Sequence, residues 1–403
     1  MKKNELMPSA IRCFMKSNTN KITNAFMITP ASLLFVMLAT SSTVLKQTSI
    51  RSISKMLARS KEVIISCSDG IQLAAKHMPP PSPNDSNDDE RILFLHGWLD
   101  NAASFDVIAP RVNSILNREV LALDLPGHGY SSHKSIDGPT QLISEYAYYV
   151  SEVLTKMDWI SDESSETKPA ITIVGHSMGA AVTLIYAAAF PEQVSRIILL
   201  EGAGPLARNP NDISRHVRSS ISRRLKSNKT LFPQNIEGST GKSQGRKKIY
   251  ESLTAAVAAR KKTAELVPGN QWISTEAAAG IVRRAAIPAN ELASHDATKA
   301  GGKELPSEYD GPVVFRHDAR LTWPSMHYFS KDQVQALYRD VQCPTCLILA
   351  DDGWPEDGWS GDAITNLLQP KVVKSLPGSH HFHMDPDTAD AVSEAVIDFL
   401  RSH

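Results

Sequence analysis

The stretch from Ile171 to Pro191 constrains the fold of this chain more than any other. Four apolar residues, Ile171 to Val174, lead into Gly175-His176-Ser177-Met178-Gly179, and a run of small and apolar residues from Ala180 to Phe190 follows before Pro191. The short apolar run reads as a buried strand and the longer one as a helix, so the pentapeptide is a strand-to-helix turn. A serine in such a turn sits in a strained backbone conformation with its hydroxyl exposed. Bulky residues two positions to either side would collide with the neighbouring elements. A serine that merely capped the helix would account for the hydroxyl but not for both glycines. Ser177 is therefore the candidate nucleophile.

The rest of the chain from Lys61 onward agrees with that turn. Short apolar runs recur at Val63–Ser66, Ile71–Ala75, Ile92–Leu95, Val120–Leu123, Ile171–Val174, Ile197–Leu200, Cys346–Ala350 and Val372–Leu376. Runs that are apolar at every position read as strands buried on both faces. Between them lie segments of helical spacing, Gln141–Met157 and Asp387–Arg401 among them. The fold class expected is α/β, a mostly parallel sheet with helices on both faces. Pro79–Asp89 reads as a solvated loop. The alternation breaks once, between Leu206 and Asp340, where helical patches appear without a series of strands. That is too long for a loop and reads as a cap over the carboxyl ends of the strands. The domains expected are thus a core of 61–205 and 341–403 and a cap of 206–340.

A serine hydroxyl needs a base that is itself oriented by a third group. In this class of sheet the chain order is serine, acid, histidine. The base is expected in the turn Gly378-Ser379-His380-His381-Phe382-His383, with His381 preferred and His380 and then His383 as alternatives. The acid is expected after Cys346–Ala350, at Asp352 or its neighbour Asp351, with Glu201 at the end of Ile197–Leu200 as a third candidate. The oxyanion donors expected are the backbone N–H groups of Met178 and Trp98, with Gly97 letting that loop approach closely.

These residues resemble the α/β-hydrolase superfamily, and within it the serine hydrolase-like proteins. HGWLDNAASFD (His96–Asp106), LDLPGHGYSS (Leu123–Ser132), GHSMG, FRHDARLTWPS (Phe315–Ser325), ILADDGWP (Ile348–Pro355) and GSHHFHMD (Gly378–Asp385) carry the likeness. The resemblance implies an eight-stranded, mostly parallel sheet, a helical cap inserted after the sixth strand, and serine-dependent hydrolysis of esters or related acyl compounds. It also carries the oxyanion role onto Trp98 and Met178 and the base role onto His381. Where many relatives place an acid in a G-x-x-D pattern, this chain has Gly353. A serine at position 177 excludes the alkyl-enzyme route of haloalkane dehalogenases and epoxide hydrolases. Two other classes compete: a binding protein on the same fold, and a lyase or C–C bond hydrolase with the same triad.

Composition narrows the partners. The 403 residues hold 43 Lys and Arg and 43 Asp and Glu, so no global basic field favours nucleic acid. The charge is uneven: residues 1–60 hold nine basic residues and one acid, whereas 207–340 hold 22 basic residues and 13 acids. The acid-poor N-terminal segment, with its interrupted apolar stretch Phe26–Ala39, reads as a targeting or disordered extension rather than a stable membrane span. It points first to an organelle, the mitochondrion, with the secretory pathway and the cytoplasm as alternatives. Four cysteines are too few for a disulfide framework, and Cys343-Pro344-Thr345-Cys346 reads as packing. The basic clusters Arg246–Lys248 and Arg260–Lys262 read as a solvated helix face or as steering for an anionic substrate. Neither a cofactor nor a metal is expected, and the expected partner is a small acyl substrate.

Overall fold

Each short apolar run becomes a strand. The computed structural model describes residues 59–82, 90–135, 142–160, 171–231, 247–265, 268–269, 271–354 and 363–403. The segment read as an address up to residue 58, and residues 83–89 of the proposed loop, lie outside the described residues, as do Arg246 and Pro355. The strands are β1 (Lys61–Ser66), β2 (Gln72–Met78), β3 (Arg91–Leu95), β4 (Glu119–Leu123), β5 (Ile171–His176), β6 (Val194–Leu200), β7 (Ile249–Tyr250), β8 (Ala286–Pro288), β9 (Val313–Phe315), β10 (Thr345–Asp352) and β11 (Val372–Ser379). Eight form one sheet in the order β1-β2-β4-β3-β5-β6-β10-β11. β2 runs antiparallel to both its neighbours, and every other pairing is parallel.

The helices are α1 (Ile108–Leu116), α2 (Ile143–Lys156), α3 (Met178–Ala189), α4 (Ile213–Leu231), α5 (Leu253–Glu265), α6 (Thr275–Ala285), α7 (Lys331–Asp340) and α8 (Ala389–Ser402). Successive strand side chains point to opposite faces. Leu93, Leu121, Ile173, Ile197 and Leu347 therefore pack on one side with α2, α3 and α7. Ile92, Val120, Val174, Ile198 and Ile348 pack on the other with α1 and α8. Two helical layers explain why the runs of the central strands β3 to β6 are apolar on both faces, each fully buried side chain contributing about 1.5–3 kcal/mol.

The insertion between β6 and β10 is closed at its base, where Ala207 bridges to Phe329 and the Arg208 N–H donates to the Phe329 carbonyl at 2.9 Å. It holds α4, α5, α6 and a three-stranded antiparallel sheet in the order β7-β9-β8. That small sheet is absent from the sequence reading because strands of two or three residues are too short to show a period. The last helix of the stretch, α7, packs Val334 and Tyr338 in the helical layer with α3. The insertion has its own apolar core of Leu253, Ala278, Ile281, Val282 and Val313. It is tied to the sheet by Arg284, whose fully buried guanidinium bonds Asp124 beyond β4 at 2.9 Å and Glu62 on β1 at 2.6 Å. No helix among the described residues is long and apolar enough to cross a membrane.

Candidate active site

The turn between β5 and α3 has the geometry that its composition demands. Ser177 takes φ 51° and ψ −112°, a region that costs a non-glycine residue about 1–3 kcal/mol and persists only where the surroundings enforce it. They do: the Ser177 N–H donates to the Leu200 carbonyl at 2.9 Å. A Cβ on Gly179 would lie 1.9 Å from the Leu95 carbonyl oxygen, and one on Gly175 would lie 2.4 Å from the Gly179 carbonyl oxygen. The two glycines let α3 press onto β3 and β5, which lifts Ser177 to the end of the sheet.

Three elements bring a histidine and a carboxylate to that end. His380, just past β11, donates from Nδ1–H to Glu201 Oε2 at 3.0 Å, which leaves Nε2 of that ring to accept a proton. Glu201 directly follows β6 and is 1% exposed, with φ 50°. Its carboxylate also accepts from the Ala350 N–H at 2.7 Å and the Trp354 N–H at 2.9 Å. Three donors to one buried carboxylate satisfy its charge and fix its orientation. Gly353 permits this, because a Cβ there would meet Glu201 Oε1 at 2.3 Å. From the insertion, Gln271 accepts from the His380 N–H at 2.8 Å and donates to the Gly353 carbonyl at 2.7 Å, clamping the two loops together.

The preferred pair from the sequence, His381 with Asp352, is not brought together. Asp352 is exposed at the end of β10, past a register shift against β11. Asp351 is also exposed and accepts from Ser375 Oγ at 2.5 Å. Among the described hydrogen bonds none joins either aspartate to a histidine. His381 instead meets a second buried group: its Nε2 accepts from Arg260 Nη2 at 3.0 Å, and Asp100 Oδ2 lies 3.6 Å away. Burial pushes the His381 imidazole down to about 4, against the pull of Asp100. Asp100 itself is paired with Arg260 at 2.6 Å. Despite the burial of Asp100, the Arg260 guanidinium holds that carboxyl well below the usual range. His383 is fully buried against Phe105 and His176, with both ring nitrogens unpartnered among the described residues.

Sequence reasoning missed Asp100, Arg260 and Gln271. Asp100 stands in the HGWLDN loop that drew attention to Trp98, but its partner comes from α5, and no spacing links the two. The basic cluster Arg260–Lys262 therefore divides, with Arg260 turned inward to the core and Lys262 not. Trp98 is half-exposed, and its indole N–H donates to the Leu321 carbonyl at 2.9 Å, joining the loop after β3 to the insertion. Leu99 beside it has φ 60°, and a Cβ on Gly97 would lie 2.9 Å from His176 Nδ1, so this turn is tightly held against the base of the elbow.

Ser177, His380, Glu201, Trp98 and Met178 all line one cavity of about 670 Å³ between the sheet and the insertion. Its walls are largely apolar and aromatic, with Tyr146, Tyr250, Phe315, Trp323, Tyr328 and Trp354 among them. Concave, mostly apolar cavities of this size with a few convergent polar groups are the usual form of a small-molecule site. Among the described residues no cluster of His, Cys, Asp or Glu could hold a metal ion. Cys343 and Cys346 are free thiols pushed up to about 12 by burial.

A family model described as the alpha/beta hydrolase fold matches residues 90–235. A serine hydrolase-like protein of Dictyostelium discoideum is 28% identical over 84% of this chain and 81% of its own length. One of Danio rerio is 26% identical over 77% and 81% respectively. Among solved structures, a hypothetical protein of Pseudomonas aeruginosa superposes with a TM-score of 0.64 at 29% identity, covering 85% of this chain and 99% of its own. A thioesterase domain from the curacin biosynthetic pathway has a TM-score of 0.55 at 19% identity over 84% of this chain and 99% of its own, a likeness of fold.

Proposed function

We propose that this chain, an α/β-hydrolase similar to the serine hydrolase-like proteins, cleaves a carboxylic ester through an acyl-enzyme. The observation that carries the reading is the His380–Glu201 hydrogen bond at the end of the sheet where Ser177 is held with positive φ. Ser177 Oγ attacks the carbonyl carbon and His380 Nε2 takes its proton. Glu201 holds the ring in the Nδ1–H tautomer and stabilises the imidazolium that forms. The N–H groups of Trp98 and Met178 receive the oxyanion. His380 then protonates the leaving alcohol, and water repeats the sequence to release the acid. The aromatic walls favour an ester with a large apolar acyl or aryl group.

This assignment takes the acid from the end of β6 rather than from β10, and His380 rather than His381 as the base. His381 has its Nε2 engaged by a guanidinium, so it is poorly placed to accept the serine proton.

A fluorophosphonate probe tests the mechanism. The folded chain should be labelled at Ser177, as located by peptide mass spectrometry, and Ser177→Ala should abolish labelling. Glu201→Gln and His380→Ala should each lower kcat on a chromogenic ester by about 10²- to 10⁴-fold, with Asp352→Asn within about twofold of the parent. An unlabelled but folded chain would sink the hydrolase reading and bring forward the binding-protein alternative. A loss in Asp352→Asn as large as that in Glu201→Gln would return the acid to β10.

A further inference from the structure

Helix α4 is amphipathic the wrong way round for a helix that packs on its own protein. Its apolar residues Ile213, Val217, Ile221 and Leu225 recur every four positions, a spacing that ordinarily faces inward. The fully buried residue is instead Ser220, whose hydroxyl donates to the Pro324 carbonyl at 2.6 Å. Arg224 lies 5.5 Å over the Trp323 ring. Ile213, Ile221 and Leu225 are left 47%, 46% and 60% exposed beside a shallow groove lined by Val217 and Arg218. From Ile213 to Ser227 the helix carries Arg215, Arg218, Arg223, Arg224 and Lys226 and no acid; Arg215 is offset by Asp212 at 2.9 Å and Arg224 turns onto Trp323, so the exposed cations beside the stripe are Arg218, Arg223 and Lys226. The same helix borders the cavity, because Arg224, Trp323 and Pro324 form part of its wall.

We propose that α4 is a docking surface for an anionic phospholipid bilayer, which places the cavity wall of Trp323 and Pro324 at the lipid surface. An apolar stripe set among cations lies in the headgroup region with its apolar residues buried and its charges among lipid phosphates and carboxylates. A second copy of the chain is a poorer occupant: a twofold contact through this stripe would face cations with cations, and the neighbouring carboxylate of Asp212 is already paired with Arg215. The proposal stands on the helix alone and does not depend on the catalytic assignment.

Vesicle flotation of the full chain tests it, with phosphatidylcholine vesicles compared with vesicles containing about 30% phosphatidylserine. The chain should float with the anionic vesicles and weakly or not at all with the neutral ones, and 0.5 M salt, roughly a 4–5 Å screening length, should weaken the binding. The double variant Ile221→Glu and Leu225→Glu should float at least about tenfold less, with an unchanged melting temperature. The milder pair Arg218→Gln and Lys226→Gln should float several-fold less on anionic vesicles only. The proposal is overturned by no flotation, by equal flotation on both compositions, or by binding that survives the Glu substitutions. It is also overturned if sedimentation shows a dimer that those substitutions dissolve, which would identify a second copy as the occupant.

Discussion

Glu201 can serve the histidine turn because a residue one strand away has no side chain. The loop after β10 wraps the carboxylate with the N–H groups of Ala350 and Trp354, and Gly353 sits between those two donors with room for nothing larger than hydrogen. Gly353→Ala should force the loop or the carboxylate to shift, lowering kcat by about 10- to 10²-fold with little change in KM, while stability falls by about 1–3 kcal/mol. Steady-state kinetics with a urea titration checks both, and a variant with unaltered kcat would remove Glu201 from the mechanism. The strained turn at Ser177 was legible in the sequence because everything its geometry needs is local: a strand, two glycines and a small-residue helix in one continuous run. The carboxylate that pairs with a histidine was not, since several carboxylates follow strands, and which one meets a histidine depends on register. The shift between Ala350 and Asp352 leaves the aspartates exposed on the tail of β10, whereas Glu201 lies within reach of the turn after β11. The histidines were equally ambiguous as neighbours in one turn, and their partners, Glu201 for His380 and Asp100 with Arg260 for His381, lie far away in the chain.

The central strands β3, β4, β5 and β6 were readable because helical layers cover both their faces and each shows as a nearly unbroken apolar run, whereas the edge strands β1 and β11 keep part of their length exposed and carry polar residues. The same logic failed in the insertion, where β7, β8 and β9 have two or three residues and the helices carry mixed surfaces. Helix contacts also separate glycines that look alike in sequence. On α3, Gly179→Ala puts a methyl group 1.9 Å from the Leu95 carbonyl oxygen, and the helix must lift from β3 at a cost of at least about 1–3 kcal/mol. On α6, Gly280 has nothing within 4 Å of an added Cβ, and Gly280→Ala should stabilise by about 0.5–1 kcal/mol through helix propensity. Urea denaturation of the pair should give opposite signs. A stabilised Gly179→Ala would mean that α3 does not depend on that close approach.

The whole molecule buries an unusual set of imidazoles around its centre. Burial pushes His381 and His317 down to about 4 and His128 and His383 to about 3, from an ordinary 6.5. Between pH 6.5 and about 4 the unfolded chain therefore holds protons that the folded chain refuses, so stability rises with pH across that window and is lost as pH falls. Asp106, raised by burial, acts in the opposite sense but is one group against several. The melting temperature should fall steeply from pH 6.5 towards 4, and His383→Phe, which replaces a ring whose two nitrogens bond nothing described, should flatten that slope. A flat profile, or an unchanged slope in His383→Phe, would contradict the burial of these rings. The insertion belongs to this same buried interior. Its Arg284 is answered by Glu62 and Asp124, and its Arg260 by Asp100, all three from the sheet portion of the chain. Transplanted onto another sheet, it would carry two buried guanidinium groups without their counter-ions, a deficit of several kcal/mol each. Divergence in what such a molecule accepts is thus channelled through single side chains lining the cavity, and not through exchange of the insertion as a cassette.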